Sequence, residues 1–483
     1  MQFDIMIIGA GVTGCAVARV LSRYEGRIAV IDRGHDVAEG ASKANSGIVH
    51  AGFDAQPGSL KAKLNVEGAK MYPALCEELG VPYDMPGALV IGFDEEDRKT
   101  LKKLEKQGQE NGVEGLCLLE REQILKMEPN TNPAVTCALY APTSGLTSPY
   151  ELTFALADHG AVNGVKFLLG QEVTGVVRIP EGLWQVKTTE NTYDCKILVN
   201  CAGVGSAKIH NMMSTTPRKI IPRRGQYYLL DRVGQAPFQM TMFQCPTKMG
   251  KGVLVSPTVH GNVLLGPSAE DIPDEKNVDT TAEGLAFVLE KCQLTWPQVS
   301  VRSGITNFSG IRAHEENGDF MIGAAAENAY EAVGIESPGL SAAPAIGEML
   351  GGLIAQEQAL QKKKEILPAP KRKKPFFAMS DEERAEAVKE NPLYGNLVCR
   401  CEVVTEAEIR EAIRRPVGAT SIDGVKRRTR SGMGRCQGGF CSGKVAEILA
   451  DELGIPLTQV TKNGGNSYLL TGSVGQALKE EWQ

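Results

Sequence analysis

The sequence predicts an α/β protein, and three features of the 483-residue chain predict it. The opening segment alternates an apolar run, a glycine-rich turn, a helical stretch and a second apolar run. Short strand signals, many of them antiparallel in rhythm, interleave with helices as far as residue 360. Beyond a basic stretch, a compact C-terminal unit carries four cysteines in two close pairs.

The opening segment is Phe3–Asp32. The run Ile5–Ile8 meets Gly9-x-Gly11-x-x-Gly14; Ala16, Val17, Val20 and Leu21 follow at helical spacing, and Ile28–Ile31 closes on Asp32. This is a Rossmann-like dinucleotide fingerprint. Gly9 permits the tight turn, Gly11 lets backbone approach a pyrophosphate, and Gly14 lets helix and strand pack closely. The helix N-terminus, beginning at Val12 and Thr13, offers unpaired N–H groups and the positive end of its dipole to phosphate. Asp32 is placed to accept from a ribose hydroxyl, and its charge disfavours a 2′-phosphate.

Composition narrows the classes. Hydrophobic residues make up 42%, glycines number 53 and the net charge is −6, which suits an α/β enzyme and gives nucleic acid no reason to bind. No run of about 18 apolar residues occurs. The richest stretch, Leu340–Ala355, carries Glu348 and a proline. The N-terminus enters a strand without a basic leader, so a cytoplasmic protein is expected, with peripheral membrane contact left open. Eight of the 12 cysteines are scattered as far as Cys292 and read as small hydrophobes.

In chain order, Gly40–Gly52 is glycine-rich and suits backbone lying against a flat ligand. Leu60–Leu79 has helical periodicity, Ala88–Phe93 reads as a strand, Glu95–Asn111 as a charged helix and Ala134–Ala141 as a strand. Tyr150–Asn163 reads as a helix. Val165–Leu169, Glu172–Arg178, Leu183–Thr188 and Lys196–Cys201 are strand signals, followed by Tyr227–Leu230, Gly252–Val255 and Asn262–Leu265. Ala345–Leu360 is expected to be helical. Gln361–Lys374 has seven basic residues and two prolines and reads as a solvated linker, or alternatively as a tether. The expected division is a nucleotide-binding domain over 1–82, 146–218 and 306–360, a cap over 83–145 and 219–305, a linker over 361–391 and a final domain over 392–483.

Cys399-x-Cys401 is separated by 34 residues from Cys436-x4-Cys441. Four thiolates in a reduced protein call for a metal. Structural zinc usually shows two C-x2-C pairs, so this spacing favours a 2Fe–2S cluster over zinc. Glycines around Cys436 would let backbone N–H groups face the cluster. Arg400, Arg427, Arg428, Arg430 and Arg435 would offset its charge.

Two resemblances extend this reading. The CRCE and GMGRCQGGFC blocks resemble the bacterioferritin-associated-ferredoxin-like domain, which binds 2Fe–2S. The preceding region resembles the FAD-dependent D-amino-acid-oxidase superfamily, in the branch of glycerol-3-phosphate oxidases and dehydrogenases and L-2-hydroxyglutarate dehydrogenases. The match rests on GAGVTG, ANSGIVHAG, PGSLKAKLNVEGAK, VNCAG, FSGIRA, NGDFMIG and GIESPGLSAAPA. It implies FAD as the nucleotide. Gly40–Gly47, with Ser42, Asn45, Ser46 and Gly47, would run beneath the flavin. Arg33 and Val173 would lie toward the adenosine, and Cys201, Ala202, Gly203 and Gly310 would line the cofactor. Gly339, Leu340 and Ser341 would bring a helix N-terminus to the pyrimidine end, where its dipole favours a reduced, anionic flavin.

The same resemblance places His50 beside the flavin and the substrate carbon, where histidine suits removal of a hydroxyl proton. A purely packing role is the alternative. Arg312, counted also among the residues lining the cofactor, would grip the substrate's phosphate or carboxylate, unless it pairs with Asp319 or Glu315. Lys248 or Lys251 would add positive charge, or be solvated loop lysines; Ser341 is a further candidate, or a plain helix cap. The expectation is an FAD-dependent dehydrogenase of a small anionic hydroxy compound, foremost sn-glycerol 3-phosphate, with electrons leaving through the cluster to a partner protein such as a second flavoprotein. An L-2-hydroxyglutarate or other 2-hydroxy or amino acid dehydrogenase is the first rival. A non-catalytic electron-transfer subunit is the second, and a redox-sensing regulator is disfavoured by the lack of a DNA-binding segment.

Overall fold

The structure is a computed structural model describing residues 1–232, 236–246 and 252–472. Two large sheets organise the first 360 residues. The first runs in the order Val173–Arg178, Trp184–Thr188, Thr192–Asn200, Gln2–Ile8, Ile28–Ile31, Lys166–Leu168. Ala329–Val333 pairs in parallel with Thr192–Asn200, and Met321–Ala326 pairs with Ala329–Val333. Its centre is parallel: Ile5 lies opposite both Ile197 and Ile28. These strands are almost wholly apolar because helices cover them. Helices Val12–Leu21, Pro149–Val162 and Gly339–Glu357 build the covering layer and the largest core.

Close helix packing explains several small residues. A Cβ on Gly14 would lie 1.9 Å from the Gly9 carbonyl oxygen, and one on Gly68 would lie 2.1 Å from that of Ser341. The helix Gly339–Glu357 begins six residues before the expected Ala345 and contains Pro344. Proline lacks the N–H that would bond the Leu340 carbonyl four residues back. The Tyr72 hydroxyl donates to that carbonyl instead, at 2.6 Å.

The second sheet is the cap. Its order is Glu270–Asp271, Ile220–Leu230, Val263–Gly266, Leu254–Pro257, Thr241–Gln244, Ala88–Gly92, Cys137–Ala141, Cys117–Glu120. Gly304–Glu315 pairs antiparallel with Ile220–Leu230 along their whole length, from Ile220 opposite Glu315 to Leu230 opposite Gly304. That pairing puts 304–315 in the cap sheet, whereas the sequence division gave most of it to the nucleotide domain. It also lengthens the strand expected at Tyr227–Leu230. The helix Ala282–Thr295, which periodicity did not bring out, packs under this sheet.

Residues 361–374 are not a free linker. Lys363 Nζ donates to the Asn163 carbonyl at 2.6 Å, and Leu367 N–H donates to Asn163 Oδ1 at 2.9 Å. Ala369 is buried in the main core, and Arg372 pairs with Glu151 at 2.8 Å. The stretch is a strap laid on the helix Pro149–Val162. Helix Asp381–Glu390 follows, opened by the Ser380–Glu383 capping box. The C-terminal unit has a short hairpin, Leu397–Cys399 with Val404–Thr405, and helices Glu406–Arg414, Ile422–Thr429 and Ser442–Leu453 around Ile409, Val425, Ile448 and Leu449. No helix among the described residues is long and apolar enough to cross a membrane.

Candidate active site and iron–sulfur centre

A cleft of about 960 Å³ lies between the two sheets. The first turn of the chain forms one end. Gly9 sits at φ +108°, and a Cβ there would be 2.3 Å from the Cys201 carbonyl oxygen, so glycine is required on both counts. Val12 N–H, at the start of its helix, donates to Ser42 Oγ at 2.9 Å. Asp32 accepts from Ala10 N–H and Gly34 N–H, each at 2.7 Å. Burial raises its carboxyl above the usual value, and these two N–H groups work against that. Each oxygen retains capacity for another donor, so a ribose hydroxyl fits.

Of the residues singled out for the cofactor, Gly9, Gly11, Val12, Thr13, Asp32, Arg33, Ser42, Asn45, Ser46, Val173, Cys201, Ala202, Gly203, Gly310, Arg312, Gly339 and Leu340 all line this cleft. Gly14, Gly47 and Ser341 do not. Gly14 and Gly47 serve backbone approach: a Cβ on Gly47 would be 2.5 Å from the Thr147 carbonyl oxygen. Asn45 Oδ1 accepts from Gly47 N–H at 2.9 Å and shapes that turn. Arg33 pairs with Glu275 of the cap at 3.2 Å.

His50 and Arg312 both line the cleft. The His50 main chain is held on both sides: its N–H donates to Ser341 Oγ at 2.8 Å, and its carbonyl accepts from Asn65 Nδ2 at 2.5 Å. Its ring lies 5.8 Å from the Phe243 ring, centroid to centroid. Ser341 is fully buried, and its hydroxyl also reaches the Ile48 carbonyl at 3.4 Å. It therefore positions His50 rather than facing a reactant. Arg312 donates to the Ser268 carbonyl at 3.3 Å and neighbours Tyr227. Burial pushes the Tyr227 phenol up, and the Arg312 charge and hydrogen bond pull against it. The alternative partners of Arg312 are occupied elsewhere: Asp319 caps the helix Leu60–Leu79 through Leu60 N–H and Lys61 N–H, each at 2.9 Å, and Glu315 holds Asn317. Lys248 and Lys251 lie outside the described residues.

Tyr227, Phe243 and Ser268 line the cleft without having been singled out as site residues. Tyr227 stacks on Phe308 at 4.9 Å, a contact fixed by the register of two strands far apart in sequence. The strand rhythm around Tyr227 was its only local signal.

The four C-terminal cysteines form two thiol pairs. Cys401 and Cys436 thiols are 3.7 Å apart, and the Cys399 and Cys441 thiols are hydrogen-bonded to each other. Among the described residues no three His, Cys, Asp or Glu side chains close on one point. Two pairs of thiols suit a binuclear group, which takes two thiolates per iron, better than a single tetrahedral ion. Backbone N–H groups of Gly432 and Glu402 face Cys399, and that of Gly438 faces Cys436. The loop glycines are needed here: Gly432 and Gly438 lie at φ +89° and +87°, and a Cβ on Gly434 would be 2.4 Å from Cys401 Cβ.

The arginines expected to balance the cluster are mostly committed elsewhere. Arg428 makes two bonds to Asp36, at 2.6 and 2.7 Å, and Arg427 reaches Asp36 at 3.2 Å and also Glu39. Arg430 bonds Glu402 at 2.8 Å and Asn262 at 2.9 Å, and Arg415, which was not among those expected, bonds Asp158 at 2.6 Å. Arg435 pairs with Asp231. Most of these bonds cross between the C-terminal unit and the rest of the chain. They are a clamp, and the loop 33–40 that carries Asp36 and Glu39 also borders the cleft.

Comparison with known proteins fits both halves. Residues 4–353 match the FAD dependent oxidoreductase family, and residues 397–451 match the BFD-like 2Fe–2S binding domain. The chain is 47% identical over 474 residues, covering 98% of each chain, to a glycerol 3-phosphate dehydrogenase of Caloramator mitchellensis. It is 31% identical to the glycerol 3-phosphate oxidase of Mycoplasma pneumoniae, over 71% of this chain and 92% of that one. The solved L-α-glycerophosphate oxidase of that organism, dithionite-reduced with FAD bound, superposes with a TM-score of 0.73 at 30% identity, covering 76% of this chain and 97% of that one. The human mitochondrial L-2-hydroxyglutarate dehydrogenase is 31% identical over 56% of this chain and 61% of its own length. The chain belongs to the FAD-dependent oxidoreductase family, as a flavoenzyme similar to glycerol 3-phosphate dehydrogenases, with a BFD-like 2Fe–2S domain at its C-terminal end.

Proposed function

We propose that the protein is a dehydrogenase that oxidises sn-glycerol 3-phosphate to dihydroxyacetone phosphate. The observation that carries this is the near full-length similarity, both domains included, to a glycerol 3-phosphate dehydrogenase. The cleft geometry supports it. Arg312 provides a guanidinium suited to a phosphate, with Tyr227 beside it, and the grip fixes the reacting carbon. His50, its backbone anchored by Ser341 and Asn65, takes the proton of the secondary hydroxyl as that carbon becomes a ketone. Bound in the cleft, FAD would supply a hydride acceptor, and a 2Fe–2S group held by the cysteines would supply one-electron transfer to an acceptor protein. Gly9, Ser42, Asp32 and the N-terminus of helix Val12–Leu21 would hold the nucleotide; Cys399, Cys401, Cys436 and Cys441 would hold the cluster.

The test is an anaerobic titration of the purified protein. Addition of sn-glycerol 3-phosphate is expected to bleach the flavin bands at stoichiometric amounts, while L-2-hydroxyglutarate leaves them unchanged. Bleaching by the hydroxy acid alone would reassign the substrate. No bleaching by either would assign the flavin to an electron-transfer subunit.

A further inference from the structure

The two cysteine pairs differ in exposure. Cys399 and Cys441 are 1% and 3% exposed, whereas Cys401 faces solvent and Cys436 is partly open. Between Cys436 and Cys441 stands Phe440, 91% exposed, the most exposed large apolar residue among those described. Its neighbours Gln437 and Gly439 are exposed as well, so it stands alone at a loop tip. A bare aromatic ring is costly in water and is enriched at the centre of recognition surfaces. Basic side chains flank it. Arg400, between two cysteines, is exposed, and the Arg435 side chain, beside Cys436, is 74% exposed. Lys444 is exposed on the first turn of helix Ser442–Leu453. Arg435 is paired with Asp231 and Lys444 with Glu447, so Arg400 supplies the uncompensated positive charge of this rim.

We propose that this face is the docking site of an acidic one-electron carrier protein, with Phe440 as its apolar anchor and Arg400 as its basic contact. The inference rests on the reading above that electrons leave through the cluster. The exposed pair, Cys401 and Cys436, marks the side from which a partner's redox centre can be approached most closely. The rim would attract an acidic carrier and repel a basic one, which acts on encounter rate and fades with salt. A membrane surface fits less well, because a single ring without apolar neighbours inserts little area.

The test uses the holoenzyme photoreduced without substrate, so that substrate identity plays no part. Stopped-flow absorbance follows its oxidation by plant plastocyanin, an acidic carrier, and by horse cytochrome c, a basic one. Plastocyanin is expected to react about tenfold faster at low ionic strength, with the advantage lost as salt rises. Phe440→Ser is expected to slow plastocyanin about tenfold while FAD content, iron content and the cluster's visible spectrum stay unchanged. Arg400→Glu should erase or reverse the carrier preference. Equal or faster reaction with cytochrome c, or an unaffected Phe440→Ser enzyme, would overturn the proposal. Phe440-dependent sedimentation with anionic phospholipid vesicles would also overturn it, in favour of a membrane contact. If Cys436→Ser enzyme lacking the cluster reduces plastocyanin at full rate, the electron-exit reading fails instead.

Discussion

Asp36→Asn is the sharpest perturbation of the clamp between the two halves. It keeps the shape of the side chain and removes its charge. In the native protein Arg428 and Asp36 side chains are 1% and 5% exposed and joined by two bonds, and Arg428 also lies 4.0 Å over the Phe154 ring. Losing one partner of a buried pair leaves an uncompensated charge and typically costs about 3–5 kcal/mol. Glu39 still faces Arg427, so ~3 kcal/mol is expected. Urea unfolding would be followed separately by the visible circular dichroism of the cluster and by flavin fluorescence. Arg428→Met and the double variant complete a cycle, whose coupling should take up most of that loss. Burial acts to raise the Asp36 carboxyl, but Arg428 and Arg427 outweigh it and hold it below its usual value. A lowered carboxyl contributes stability above its unfolded pKa of about 4 and loses it only as pH falls through the still lower folded value. The difference between native protein and Asp36→Asn should therefore be flat from about pH 5 to 8. Additive single losses, or a difference already fading at pH 6, would refute the clamp.

Three further outcomes test the site. Arg312→Ala should raise the Michaelis constant for glycerol 3-phosphate by about 2–5 kcal/mol of lost binding with FAD retained; an unchanged constant removes it from the substrate. His50→Ala should slow flavin bleaching about 10²–10⁴-fold, measured by stopped flow with substrate in excess, and a fall below about tenfold would leave it a packing role. Cys436→Ser should lose the cluster's visible bands, since a hydroxyl replaces a thiolate poorly. Substrate should still bleach its flavin near the normal rate, and a dye that accepts from flavin should support turnover.

Much of the nucleotide half was legible because its signals are local. The Gly9–Gly14 turn, its helix and Asp32 follow each other in sequence, and the folded turn places them on one cleft. The cysteine spacing carried the cluster in the same way. What escaped was set by distant partners. Arg427 and Arg428 looked like charge balance for the thiolates, yet Asp36 and Glu39 lie nearly the length of the chain away. The strap at 361–374 read as solvated from its lysines and prolines, because nothing nearby announces Asn163 and Glu151 as its anchors. The helix Gly339–Glu357 starts ahead of the expected Ala345, and the Tyr72 hydroxyl that compensates Pro344 comes from another helix. Ser341 looked like a site residue because a buried serine and a facing one read alike in sequence.

The loop 33–40 has two audiences. Its Arg33, Gly34 and Glu39 border the nucleotide cleft, while Asp36 and Glu39 hold the arginines of the iron–sulfur unit. A segment shared by two binding events couples them, and thermodynamic reciprocity makes the coupling equal in both directions. Whatever factor nucleotide occupancy adds to docking of the C-terminal unit, docking returns to nucleotide retention. A chain stripped of flavin should thus open at the clamp as well as at the cleft, and a chain cut at the strap should release flavin more readily than the intact one.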